Sequence, residues 1–142
     1  MFTWAEVCTI IKTENGIEWP LVSKELNQKF QQGLYQLIYE GKVIKNGCFG
    51  EGKTKKINMR IAAYRNMINS LNKTRMGLKG KNGSFKTIDV LDKNLKVGDK
   101  VIMRAIALPD TKLDKNNVPW KVDLYALEDF LKNKHKDTIW LT

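Results

Sequence analysis

Cysteine, proline and histidine are all scarce: two, three and one among 142 residues. Cys8 and Cys48 sit at neither CxxC nor Cys/His ligand spacing, so neither a disulfide framework nor a structural zinc site is expected. A chain of this length buries about two-thirds of its unfolded surface and needs no such staple. Long hydrophobic runs are absent too; no stretch approaches the ~18 apolar residues of a membrane-spanning helix. With no leader-like segment at its start, the chain is expected in a reducing cytoplasm. No repeat or linker divides it, and it reads as a single domain over residues 1–142 with a helical extension over residues 1–30.

Acidic residues are missing from one region in particular. Between residues 42 and 86, Lys42, Lys45, Lys53, Lys55, Lys56, Arg60, Arg65, Lys73, Arg75, Lys79, Lys81 and Lys86 face Glu51 alone. That segment carries +11 while the whole chain carries +10, so the remainder is close to neutral. Charge focused in this way suits a polyanion. A merely solvated lysine-rich face is the plainer reading. An anionic membrane is disfavoured, because no Trp- or Phe-rich amphipathic face accompanies the basic stretch.

The expected elements begin with a helix from an N-cap at Thr3 to Ile11, ended by Asn15-Gly16. A second short helix follows Pro20. Gly33 opens an aromatic and branched run to Ile44, broken at Glu40-Gly41, which reads as a β-hairpin. A three-residue loop, Tyr39-Glu40-Gly41, with Gly41 left-handed would set Tyr35 opposite Lys45. Ile57, Ile61, Tyr64, Ile68 and Leu71 recur with a 3.6-residue period and predict a helix over 54–71. Glycines among Lys and Asn make 72–86 a basic loop or wing. A short helix over 88–95, a strand over 100–108, a polar loop over 110–119 and a last helix over 122–134 follow, with Trp140 folding back on the core. The implied fold class is α/β in the α+β sense, a small three-stranded antiparallel or mixed sheet flanked by helices.

Two charges fall on apolar faces. Arg60 lies between Ile57 and Tyr64 at helical spacing, and Glu128 lies between Leu124 and Leu131. Burying an unpaired charge costs several kcal/mol, so such residues pair, snorkel, or line a cleft that a ligand completes. An Arg60–Glu128 ion pair satisfies the first option.

The residues favour the cleft when taken in order. Gly33-Leu34-Tyr35, nine residues, Lys45-Asn46-Gly47, then Arg60 with Tyr64 four positions on, and Glu128 within Leu127-Glu128-Asp129-Phe130-Leu131, together resemble the GIY-YIG nuclease family over roughly residues 30 to 142. The second triplet has Lys45 where the family has tyrosine, as some restriction enzymes of the family do, and the Asn expected after the terminal aromatic is replaced by Leu141. The resemblance implies a Mg²⁺-dependent DNA endonuclease of phage or restriction type, in the cytoplasm of a bacterial or phage-infected cell, with Mn²⁺ able to substitute. It implies that Glu128 holds the metal, Arg60 clamps the scissile phosphate and Tyr35 takes the water's proton. Lys45 is expected to lower the Tyr35 pKa, and the free N–H groups at the start of the long helix to favour phosphate. Tyr64 is expected to hydrogen-bond a phosphate oxygen or the tyrosine, or else to be an ordinary core residue. His135 reads as a surface residue near a helix end. Lys53, Lys55, Lys56, Lys73, Arg75, Lys79, Lys81 and Lys86 are the expected DNA-backbone contacts. Cutting both strands of double-stranded DNA with one site takes two copies or two encounters, so a homo-oligomer is expected. The competing readings are non-catalytic: a winged-helix regulator, in which Gly33–Tyr39 would be helical, or an inactive nuclease relative.

Overall fold

A computed structural model describes residues 3–50, 56–71, 83–108, 111–113, 119–121 and 123–140. It begins with strands, not a helix. Ala5–Thr13 (β1) and Gly16–Glu18 (β2) form a hairpin whose turn places Gly16 at φ 111°. Val7, Thr9, Ile10, Ile11 and Thr13 are β-branched, and that local preference overrides the helical spacing of Val7, Ile10 and Ile11. The expected N-terminal helical extension is therefore corrected. Its helical part is Lys24–Lys29 (α1), where the Ser23 hydroxyl caps the first turn by accepting from the Leu26 N–H at 3.2 Å.

Gly33–Tyr39 (β3), Lys42–Phe49 (β4), Ile57–Leu71 (α2), Gly83–Asn94 (α3), Lys100–Ala107 (β5), Thr111–Leu113 (β6), Pro119–Lys121 (β7) and Leu124–Lys134 (α4) follow. The main sheet has five strands in the order β2-β1-β5-β3-β4, and every neighbouring pair is antiparallel. The α+β class stands, and the three-stranded sheet is corrected to five because β1 and β2 join it. Part of the expected polar loop over 110–119 contributes to a separate two-stranded pair, β6–β7. Because Gly33–Tyr39 is a strand, the winged-helix alternative loses the helix it requires.

The core joins Ile10, Leu37, Phe49, Val101 and Met103 of the sheet to Ile57, Ile61 and Tyr64 of α2 and to Ile88 and Leu91 of α3. The first turn of α2 is tied down on the side of α1. The Ile57 N–H donates to the Phe30 carbonyl at 3.0 Å, and the Asn58 N–H donates to Asn27 Oδ1 at 2.9 Å. Asn58 in turn brackets Val22, accepting from its N–H at 2.8 Å and donating to its carbonyl at 3.0 Å. The expectation of free N–H groups at this helix start is overturned, since those donors are already occupied. What the arrangement supplies is a fixed starting point for Arg60, two residues further on.

The β3–β4 register also departs from expectation. The turn is the two-residue Glu40-Gly41, with both residues at positive φ (51° and 77°), which matches the right-handed twist of the flanking strands. Tyr39 pairs with Lys42 and Ile38 with Val43; Ile44 is then extra, and pairing resumes at Leu37–Lys45. That bulge shifts the phase by one residue, so Tyr35 lies opposite Gly47 rather than Lys45. Tyr35 and Leu37 share a face, hence so do Gly47 and Lys45, and the phenol and ammonium still project to the same side.

Truncating Asn58 to alanine leaves the Val22 N–H and carbonyl without their bracket. Asn58→Ala is expected to lower stability by about 1–3 kcal/mol, read from the urea midpoint at unchanged m-value.

Candidate active site

Four residues that the sequence separates by up to 93 positions line one cavity of about 180 Å³: Tyr35, Lys45, Arg60 and Glu128. Strands β3 and β4 supply the first two, the start of α2 the third and the first half of α4 the fourth. Gly47, Cys48 and Tyr125 complete the lining.

Tyr35 is fully buried, and its ring lies over Gly47 so closely that a methyl group there would overlap the phenol. Its hydroxyl hydrogen-bonds the Tyr64 hydroxyl. Arg60 Nη2 donates to the Tyr64 oxygen at 3.2 Å, and the guanidinium stands over the Tyr64 ring, 4.9 Å from its centroid. Tyr64 unites its two expected roles. Its ring is core, stacked on Trp19 at 4.3 Å and 8° between planes, while its hydroxyl is the hinge between Tyr35 and Arg60.

The electrostatics of this cluster are lopsided. The Arg60–Glu128 ion pair does not form; Glu128 pairs with Lys132, one helical turn along α4, at 2.7 Å. Neither Arg60 nor Lys45 has a carboxylate partner among the described residues, although Lys45 is only 8% exposed. The Arg60 Nε–H is buried without a hydrogen-bond partner. Two cations without carboxylate partners among the described residues face one cavity, and their burial leaves a desolvation cost of several kcal/mol that an anion would offset. The same burial acts against the phenol. It pushes the Tyr35 pKa well above its ordinary value of 10.0, the adjacent Tyr64 adds to the rise, and the Arg60 charge offsets only part of it. The expectation that nearby cations make Tyr35 acidic is thus reversed: in the free protein it is a neutral phenol.

Among the described residues no three His, Cys, Asp or Glu side chains group as a metal cage. Glu128 is the carboxylate that faces the cavity. Mg²⁺ keeps most of its waters and binds through one or two carboxylates plus substrate phosphate, so this donor set fits Mg²⁺ and not zinc.

The chain matches no family model, and no curated protein matches it. Among solved structures it is similar to restriction endonuclease HPY188I in complex with product DNA, at 16% identity and a TM-score of 0.49, over 95% of this chain and 77% of the other.

Of the expected DNA contacts, Lys56 is half-buried at the start of α2 and Lys86 is exposed on α3. Lys53, Lys55, Lys73, Arg75, Lys79 and Lys81 lie outside the described residues. His135 caps the C-terminus of α4 as its expected place near a helix end requires, but it is half-buried, not a surface residue, with its ring nitrogen 3.2 Å from Asn46 Nδ2. Cys8 and Cys48 form no disulfide, and burial pushes the Cys8 thiol up to about 11, leaving it unreactive. Tyr125 was missed by sequence reasoning, though its position three residues before Glu128 placed it on the same side of the helix. Trp19 carried no signal, since it follows β2, a three-residue strand that falls between the two expected helices and is set by its pairing with β1. A larger cavity of about 410 Å³, lined in part by Ile17, Trp19 and Arg65, holds none of the expected site residues. No helix among the described residues is long and apolar enough to cross a membrane.

The Tyr35–Gly47 contact can be tested directly. Gly47→Ala is expected to force the phenol out of place and cost about 1–3 kcal/mol of stability by overpacking, visible as a lowered denaturation midpoint and an altered tyrosine near-ultraviolet signal.

Proposed function

We propose that the chain is a metal-dependent DNA endonuclease of GIY-YIG type that hydrolyses phosphodiester bonds. The observation that carries this reading is the single cavity shared by Tyr35, Lys45, Arg60 and Glu128, in which two cations lack carboxylate partners among the described residues. A phosphodiester supplies the missing negative charge, and the basic segment over 42–86 supplies affinity for the rest of a nucleic-acid backbone.

The residues divide the chemistry as follows. Arg60 and Lys45 hold the nonbridging oxygens and neutralise the charge that grows on them as water attacks phosphorus. The water's proton passes to Tyr35 Oη while its oxygen forms the new bond and the departing oxygen takes the electron pair of the broken one. Tyr64, donating to Tyr35 and supported by Arg60, stabilises the phenolate that must exist before that transfer. Glu128 is the residue that holds Mg²⁺, with Mn²⁺ able to substitute; when bound, the metal neutralises charge on the phosphate and the leaving oxygen. The expected substrate is double-stranded DNA, and a host-DNA-degrading or restriction role suits such an enzyme.

Two observations favour an inactive, DNA-binding relative instead: Glu128 is already engaged by Lys132, and burial holds the Tyr35 pKa well above its ordinary value. Plasmid cleavage separates the two. Supercoiled DNA incubated with the chain and Mg²⁺ is expected to be nicked or linearised, and chelation is expected to stop this. Glu128→Ala is expected to reduce cutting at least 100-fold with DNA binding retained in a gel-shift assay, whereas Arg60→Ala and Lys45→Ala weaken both. Binding without cutting by the wild type establishes the inactive relative, and equal cutting by Glu128→Ala removes the metal assignment.

The raised Tyr35 pKa fixes a sign for pH dependence. A base that works as phenolate is present in a fraction that grows tenfold per pH unit below its pKa, and kcat/KM reports the free enzyme. Its logarithm is therefore expected to climb with unit slope through pH 9 and to show no plateau below pH 10. A plateau near neutrality, or full activity in Tyr35→Phe, excludes Tyr35 as the base.

A further inference from the structure

Behind the site, on the opposite face of the same strands, runs a row of polar side chains that the proposed chemistry does not use. Arg104, Gln36 and Asn46 lie directly opposite one another across β5, β3 and β4. Arg104 Nε donates to Gln36 Oε1 at 2.8 Å, and Gln36 Nε2 donates to Asn46 Oδ1 at 2.8 Å. Asn46 Nδ2 then donates to the Leu131 carbonyl in α4 at 3.3 Å and lies 3.2 Å from His135 Nδ1. Gln36 is 1% exposed and Asn46 0%, so any broken link would leave a buried amide unsatisfied.

The direction of this chain is fixed from one end. Arginine has donors and no acceptor, so Gln36 must present its oxygen to Arg104 and its nitrogen to Asn46. Asn46 must then present its oxygen to Gln36, which leaves only its amide nitrogen for α4. The Leu131 carbonyl also accepts from the His135 N–H at 3.1 Å and lies 2.9 Å from His135 Nδ1, so Asn46 adds a link from β4 to a helix end that His135 already caps. The row occupies positions next to the site residues: Gln36 follows Tyr35, and Asn46 separates Lys45 from Gly47. Leu131, where the row ends, is three residues from Glu128.

We propose that Asn46 is a positioning residue: with its amide orientation locked through Gln36 by Arg104, it sets the placement of α4, and so of the Glu128 carboxylate, relative to Tyr35 and Lys45. The metal-related part rests on the nuclease reading above, whereas the docking of α4 does not.

The test uses the full chain and two variants. Asn46→Asp keeps the size and the acceptor for Gln36 but replaces the donor to Leu131 with a carboxylate oxygen. Arg104→Met, at a half-exposed position, removes the lock and leaves Asn46 in place. Amide hydrogen exchange over residues 128–135, Mn²⁺ titration followed by electron paramagnetic resonance with duplex DNA present, and duplex affinity in chelator are measured for each. In Asn46→Asp the α4 amides are expected to exchange at least tenfold faster with β3 and β5 unchanged, Mn²⁺ affinity to fall at least fivefold, and metal-free DNA affinity to stay within twofold. Arg104→Met is expected to move the first two readouts in the same direction by less, and decides the matter if the aspartate variant does not fold. Unchanged α4 exchange in the variants, or faster exchange spread evenly over every element, overturns the proposal. A wild type that binds no Mn²⁺ and cuts no DNA, with α4 loosened in the variants as expected, defeats the nuclease reading and leaves the docking role standing. A wild type that does both, beside variants indistinguishable from it, defeats the docking role alone.

Discussion

The pairing of β3 with β4 is the constraint on which the site depends. A two-residue turn alone would put Lys45 on the face opposite Tyr35. The extra residue at Ile44 reverses that, and Gly47 then provides the flat floor that lets the phenol lie across the strand. Everything else at the cavity is brought to this pair: Tyr64 and Arg60 by the helix packed on the same face, Glu128 by the helix that reaches it from the far end of the chain. A bulge of this kind is costly in ladder hydrogen bonding and is retained where it aims a side chain.

Burial and charge pull against each other at this point. Low solvent exposure sharpens the field of Arg60 and Lys45, which suits an anionic substrate, yet it also keeps the Tyr35 phenol protonated. The ion pair of Glu128 with Lys132 plays a similar holding role for the carboxylate, being local to one helix turn and partly exposed, and such pairs are worth at most about 1 kcal/mol.

Much of this was legible in the sequence wherever a residue contradicted its local pattern. Arg60 and Glu128 stood out because each interrupts an apolar row, and Tyr35 with Lys45 because a hairpin had to set their relation. What could not be read was anything depending on non-local pairing. The nine residues of β1 carry apolar positions that satisfy a helix as well as a strand; their β-branching favours the strand, and pairing with β2 and β5 holds it there. The register bulge at Ile44 has no marker of its own, so the correct shared face was inferred through the wrong loop length. Asn46 looked like part of a triplet; its partners Gln36 and Arg104 become visible only when three strands are laid side by side.

The segment after α4 has a further effect on how copies of the chain can meet. Thr138 Oγ1 donates to the Val43 carbonyl at 2.6 Å, the Trp140 N–H donates to the Ile44 carbonyl at 2.8 Å, and the Trp140 ring rests edge-on against Tyr39. These contacts occupy the outer rim of β4 beside its turn, leaving β2, three residues long, as the opposite rim of the sheet. Two copies approaching along that rim would therefore meet through side-chain surfaces, not by extending β4 into a shared sheet, and could approach or separate there without breaking main-chain bonds.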